Sequence, residues 1–260
     1  MGYTRIPVAT RIQEIEPTAV FVHCLAHCTN LCLHSLGKQS LCVREALDLV
    51  MELSQLIRFS PKRSSLFEAL QAQVSPGAPT LKPLCPTRWT VRTKAIEAVL
   101  TNYGLLQEAL EVIQQGKDEY ALKAMGFLNS MDKFSTYFGL KLSYRIFSAT
   151  EQLSITLQGV NTTIQEAVQA SKLALSFLQR LRSDDAFESF YSQVLAECKD
   201  FTSEPVLPRQ RRAPRRLDSG SVGHTFDSTT AYFRKQYFEA LDAVSGERFS
   251  KKGGCQLPLL

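Results

Sequence analysis

A chain of 260 residues with 44% hydrophobic and 21% charged residues is long enough to bury a sizeable core, as one large domain or two small ones. No stretch approaches the roughly 20 apolar residues of a membrane helix. The opening MGYTRIPVATRIQEIEP lacks the apolar centre of a secretory signal, and Ile6 stands where myristoylation needs Ser or Thr. The net charge is +5, and the seven cysteines (Cys24, Cys28, Cys32, Cys42, Cys85, Cys198, Cys255) are odd in number and scattered, which favours reduced thiols in a cytosolic or nuclear protein.

Taken in chain order, TAVFVHC (18–24) is β-branched and aromatic and follows Pro17, which predicts a buried strand. Nearly everything after it has helical period. SLCVREALDLVMELSQLI puts Leu41, Ala46, Leu49, Val50, Leu53 and Ile57 on one broad face. AIEAVLTNYGLLQEALEVI does the same with Ile96, Val99, Leu100, Tyr103, Leu106, Leu110 and Ile113. Further amphipathic runs cover 118–138, 146–158, 162–182, 185–199 and 228–249. Ser148 with Glu151, and Asp185 with Glu188, have the spacing of helix-capping pairs. SPGAPTLKPLCPT (75–87), with its four prolines, predicts a loop, and SEPVLPRQRRAPRRLDSGSVGH (203–224) a linker.

Three stretches carry candidate chemistry. In FVHCLAHCTN (21–30), Cys24 and Cys28 fall on one helical stripe with Cys32, and His27 and His34 are near. No second pair of ligands follows at finger-like distance, so small buried thiols weigh against zinc. A Cys24–His27 nucleophile lacks a local signature, and Glu45, Asp48 and Glu52 lie on a solvated helical face. LCPTRWTVR (84–92) holds the single tryptophan. Arg88, Trp89 and Arg92 there form either a platform for an unstacked base with its phosphates or the start of a helix core with solvated arginines. PRQRRAPRR (208–216) carries Arg209, Arg211, Arg212, Arg215 and Arg216 without an acid, a place for an anionic partner or an import receptor.

VHCLAHCTNL with its C-x-x-H pair, and PTRW (86–89) about 60 residues later, resemble in order the hAT-superfamily transposases. The nearest likeness is to the transposase-derived group called zinc finger MYM-type protein 1-like. GLKLSYRIFSATEQLSITLQ and YFRKQYFEALDAVSGERF extend that resemblance over nearly the whole chain, the last dozen residues apart. It implies an RNase H-like nuclease core, with two aspartates and a glutamate for two metal ions, interrupted by an all-α insertion domain. This chain departs from that pattern. Only Glu14 and Glu16 are acidic before Cys24, the first aspartate is Asp48, and the expected glutamate after GERF is missing.

The resemblance therefore implies a mainly α chain: the helical insertion domain of an RNase H-like transposase with one core strand retained. Its parts would be a core remnant (1–24), the all-α insertion domain (25–202), a basic Pro/Arg linker (203–226) and a returning helix with an unstructured tail (227–260). Cys24 and His27 would mark the core edge, and Arg88 and Trp89 would take the family's role of steadying flipped bases. The expected protein is catalytically inactive, nuclear and free of cofactors and metals. It would bind DNA weakly and non-specifically, with protein partners possible through its helical faces and no membrane contact. The alternative is a helical protein-interaction module without a nucleic-acid role.

Overall fold

The computed structural model describes residues 8–19, 33, 35–84, 90–159, 161–209 and 226–245. Every regular element among them is helical. A helical turn over 35–39 leads into the main body. The helices are α1 (Val8–Ile15), α2 (Leu41–Arg58), α3 (Pro61–Val74), α4 (Thr90–Thr101), α5 (Tyr103–Gln114), α6 (Glu119–Met131), α7 (Phe134–Leu157), α8 (Ile164–Leu181), α9 (Asp184–Cys198) and α10 (Thr229–Ser245).

The 24-residue α7 is the axis of the bundle, about 36 Å long at 1.5 Å per residue. It packs against α2, α4, α6, α8 and α9. A helix covered on several sides must be apolar on several sides, and Tyr137, Phe138, Gly139 and Leu140 are buried in succession. Gly139 sets how close α2 comes: a Cβ there would lie 2.7 Å from the Cys42 carbonyl oxygen. On that side the core is mainly aliphatic, with Val43, Val50, Leu53, Ile57, Ile96, Val99, Leu106 and Leu110. Towards α9 and α10 it is built from rings, including Phe134, Phe138, Phe187, Phe190, Tyr191, Phe233 and Tyr237. The buried hydroxyls find carbonyls: Tyr103 donates to Met131 O at 2.7 Å, and Tyr237 to Leu181 O at 3.0 Å.

The mainly helical expectation agrees with this architecture, while several local expectations are corrected. No strand occurs among the described residues. Of the expected strand, Thr18 lies in a turn held by Glu16 Oε1, which accepts from its amide at 3.2 Å, and Ala19 is irregular; residues 20–24 lie outside the described residues. The run 95–113 is two helices that meet at Asn102, a buried residue whose side chain is committed elsewhere. Residues 134–157 form one unbroken helix. Ser148 sits inside it, donating back to the Tyr144 carbonyl, and caps nothing. The cap near 185 is Ser183, whose hydroxyl accepts from the Ala186 amide at 3.3 Å. Leu41, placed on the core face by its spacing, is 46% exposed.

Two other helix starts are capped by pairs outside Ser148–Glu151 and Asp185–Glu188. Thr163 and Glu166 form a reciprocal capping box at α8, and Asp118 accepts from the Ala121 amide at 3.0 Å to open α6. Among the described residues no helix is long and apolar enough to cross a membrane.

Candidate functional site

The proline-rich loop before α4 is held from three directions. Gln71 Nε2 donates to Ala78 O (3.1 Å), Pro79 O (3.3 Å) and Asn102 Oδ1 (3.1 Å). Asn102 Nδ2 donates to Pro79 O at 2.9 Å and to Ala98 O at 2.7 Å. From α2, Ser54 Oγ donates to Lys82 O (3.1 Å) and Arg58 Nη1 to Leu81 O (3.3 Å), with Leu81 itself buried. A buried amide pair left unsatisfied would be costly, so this network fixes residues 78–82 against α2, α3 and the α4–α5 junction. Arg88 and Trp89 follow this clamped loop in the sequence. Both residues lie outside the described residues.

A cleft of about 220 Å³ is lined by Leu33, Gly37, Lys38, Arg44, Leu47, Asp48, Met51, Leu84 and Arg92. Leu33, Gly37 and Lys38 come from just beyond the C-x-x-H stretch. Leu84 and Arg92 flank the Pro-Thr-Arg-Trp stretch. The fold thus brings the borders of two motifs about 60 residues apart onto one concave surface. Three cations, Lys38, Arg44 and Arg92, face one acid there, Asp48, over an aliphatic floor. Such a surface can take an anion beside an apolar group.

Arg92 is half-buried and lines the cleft. Arg209 is exposed in the irregular segment 203–209 and does not line it. That segment is tied down at its start, where the Ser203 amide donates to Asp132 O at 2.7 Å and Gln107 Nε2 to Phe201 O at 2.9 Å. Cys24, His27, Arg211, Arg212, Arg215 and Arg216 lie outside the described residues. Sequence reasoning passed over Lys38 and Arg44. The signal was faint: two cations six apart, with Arg44 and Asp48 one helical turn from each other on the exposed side of α2. Glu45, Asp48 and Glu52 are all exposed, as their spacing predicts.

The two described thiols are structural in character. Cys42 and Cys198 are free. Burial pushes the Cys42 thiol up to about 11, against a hydrogen-bonding pull from Ser40, and burial raises Cys198 as well. Neither supplies a thiolate near neutral pH. Among the described residues no group of three or more His, Cys, Asp and Glu side chains is gathered so as to hold a metal ion. No family model matches the chain, and no solved structure matches it.

Proposed function

We propose that the chain is a catalytically inactive, transposase-derived helical module of hAT type that associates with DNA in the nucleus. The observation that carries this reading is the convergence on one cationic cleft of the residues bordering the two resemblance motifs. The clamped loop supports it further. A residue that stacks on a base has to be presented from a fixed mount, and the clamped segment 78–82 ends six positions before Arg88 in the sequence. In this reading Arg88, Arg92, Lys38 and Arg44 meet phosphates, Trp89 meets an unstacked base, and the basic run from Arg209 to Arg216 adds non-specific attraction.

The test is fluorescence anisotropy of the full chain with blunt duplex and with flapped or hairpin-ended DNA. Trp89→Ala is expected to weaken binding to the flapped substrate by about 1–3 kcal/mol and to leave the blunt duplex nearly unaffected. Neutralising the five arginines of 209–216 is expected to flatten the salt dependence for both substrates. An unchanged affinity for the flapped substrate in a folded Trp89→Ala protein would remove the stacking role.

One observation favours a second reading, a protein-interaction module. The described side chains of α1 are all exposed, and Val8 (73%), Ile12 (50%) and Ile15 (85%) recur at the spacing of a single helical stripe. Loss of a co-purifying partner on Ile12→Asp, with DNA affinity unchanged, would favour that reading.

A further inference from the structure

A second concave surface lies where the C-terminus of α2, the start of α3 and α6 meet. It has a volume of about 430 Å³ and is lined by Glu52, Gln55, Leu56, Phe59, Arg63, Tyr120, Lys123 and Phe127. Four features make it more than a surface dent. Phe59, at the C-cap of α2, is 74% exposed, an unusual position for a large ring next to an otherwise covered core. The Arg63 guanidinium is oriented before anything binds. Its Nε donates to Leu56 O at 2.6 Å, and its plane carbon sits 4.1 Å from the centre of the Tyr120 ring. A guanidinium anchored through Nε keeps its two terminal amino groups for another acceptor. Lys123 brings a second cation to the same ring, 5.2 Å from its centre, and reaches the Glu119 carboxylate at 3.8 Å in an exposed pair that a phosphate can replace. Glu52 and Gln55, exposed one turn earlier on α2, add a carboxylate and an amide to the lining.

We infer that this surface binds one nucleotide unit, its base stacked on Phe59 and its phosphate held by Arg63 and Lys123. Glu52 and Gln55 face the base edge. The complement is specific to that chemistry. An acidic peptide would find the two cations but would be repelled by Glu52. A purely apolar ligand would gain nothing from the terminal amino groups of Arg63. A base has a face for Phe59, amino groups for a carboxylate and an amide-readable edge, and it is joined to a phosphate that can accept from Arg63 and Lys123. The same chemistry is offered by an unpaired nucleotide in a strand and by a free mononucleotide. The surface is separate from the cleft at Arg92, and no residue lines both. This inference therefore stands or falls independently of the DNA-end reading.

The experiment uses the full chain with a labelled single-stranded oligonucleotide of about 12 nucleotides, within the range of single-strand site sizes. Free dAMP, an acidic peptide and a blunt duplex serve as parallel probes. Phe59→Ala is expected to lower single-strand affinity about tenfold with duplex affinity and helical circular dichroism unchanged, and Phe59→Tyr to restore it. The double variant Arg63→Gln, Lys123→Gln is expected to reduce the slope of log affinity against log salt by about 0.7, the value for one phosphate of a single strand. Lys123→Gln alone touches an exposed side chain and guards against loss of fold. Saturable dAMP binding abolished by Phe59→Ala assigns the site to the free nucleotide. Binding of the oligonucleotide without dAMP assigns it to the strand. Unchanged single-strand affinity in a folded Phe59→Ala protein overturns the inference, as does binding of the acidic peptide alone. Because the DNA-end reading rests on Trp89 and this inference on Phe59, a null result for Phe59 beside a positive one for Trp89 identifies which proposal failed.

Discussion

The two halves of the bundle share the axis helix α7 but are filled by different means. Towards α9 and α10 the core is a mesh of rings. Phe134 and Phe233 meet edge to face at 4.8 Å, Phe138 and Phe190 at 5.5 Å, and Phe187 stacks on Tyr191 at 5.5 Å. Towards α2, α4 and α5 it is filled by Leu, Ile, Val and Ala, and backbones approach closely at Gly139. Ring pairs have preferred geometries worth about 0.5–1.5 kcal/mol beyond the area they bury. Aliphatic side chains have no such preference and can repack. The ring half should therefore be intolerant of any change in shape, and the aliphatic half intolerant only where backbone meets backbone.

The largest effect expected is at Phe138, which is fully buried and contacts Phe134, Phe190, Tyr191 and Phe233. Phe138→Ala is expected to cost about 3–5 kcal/mol in urea unfolding. The contrast is sharpened by milder changes. Phe138→Leu is expected to cost more than Leu106→Met, whose volume-conserving swap should stay under about 1.5 kcal/mol. Equal costs would mean that the rings act as mere filler and would erase the distinction between the halves.

Alkaline pH probes the aliphatic side. Burial pushes Cys42 up to about 11 from 9.0 and Tyr137 up to about 12 from 10.0, and it raises Tyr103 further. In each case the folded value lies above the unfolded one. The stabilisation is therefore complete below pH 9 and is lost as pH rises through the folded values. Each unit of difference corresponds to about 1.4 kcal/mol, so a fall of roughly 2–3 kcal/mol between pH 9 and 11 is expected from Cys42 alone. Urea midpoints measured across pH 8 to 12 test this, and Cys42→Ala should remove the first part of the fall. A flat profile up to pH 11 would show the thiol to be solvated.

Glycine separates the two modes of packing more finely. Gly139→Ala would put a methyl 2.7 Å from the Cys42 carbonyl, and α2 must then move, at about 1–3 kcal/mol. Gly126, exposed on α6, has nothing within 4 Å of an added Cβ, and Gly126→Ala is expected to stabilise by about 0.4–1 kcal/mol. Thermal melts of the two variants should move in opposite directions.

The same glycine explains part of what the sequence could not tell. The amphipathic runs 118–138 and 146–158 leave a gap that opens at Gly139. Only the approach of α2 reveals why a glycine belongs in mid-helix. Periodicity also runs through Asn102, because its neighbours keep the apolar spacing while the side chain is diverted to Pro79 and Ala98. Helix α3 carried no apolar stripe to find: Phe67 and the polar Gln71 are its buried residues, and Gln71 is buried to bind the loop. Strong stripes such as Ala46–Leu49–Val50–Leu53–Ile57 were legible because each residue faces the core by its own hydrophobicity. Of the candidate site, Arg92 was legible from its neighbours in sequence. Lys38 and Arg44 were not, since their partnership with it exists only after α2 and α4 pack on α7.

The smallest effect lies at the surface of the ring half, where α10 is latched by charge. Arg182 Nη2 donates to Asp242 Oδ2 at 2.9 Å and Arg234 Nε to Asp184 Oδ1 at 2.7 Å. Both guanidiniums also lie over the Phe238 ring, 5.0 and 4.7 Å from its centre. The hydrogen bond from Arg234 holds the Asp184 carboxyl below the usual carboxylate range, so any contribution from it is present at neutral pH and fades as pH falls through that lowered value. Arg182 and Asp242 are each about half exposed, and water and salt weaken the pair. Asp242→Asn is therefore expected to cost only about 0.2–1 kcal/mol, less in 1 M salt than in 0.1 M. If Asp242→Asn approached the cost of Phe138→Ala and ignored salt, charge and not ring packing would be what seats α10. The contrast between the two halves would then have to be redrawn around its ion pairs.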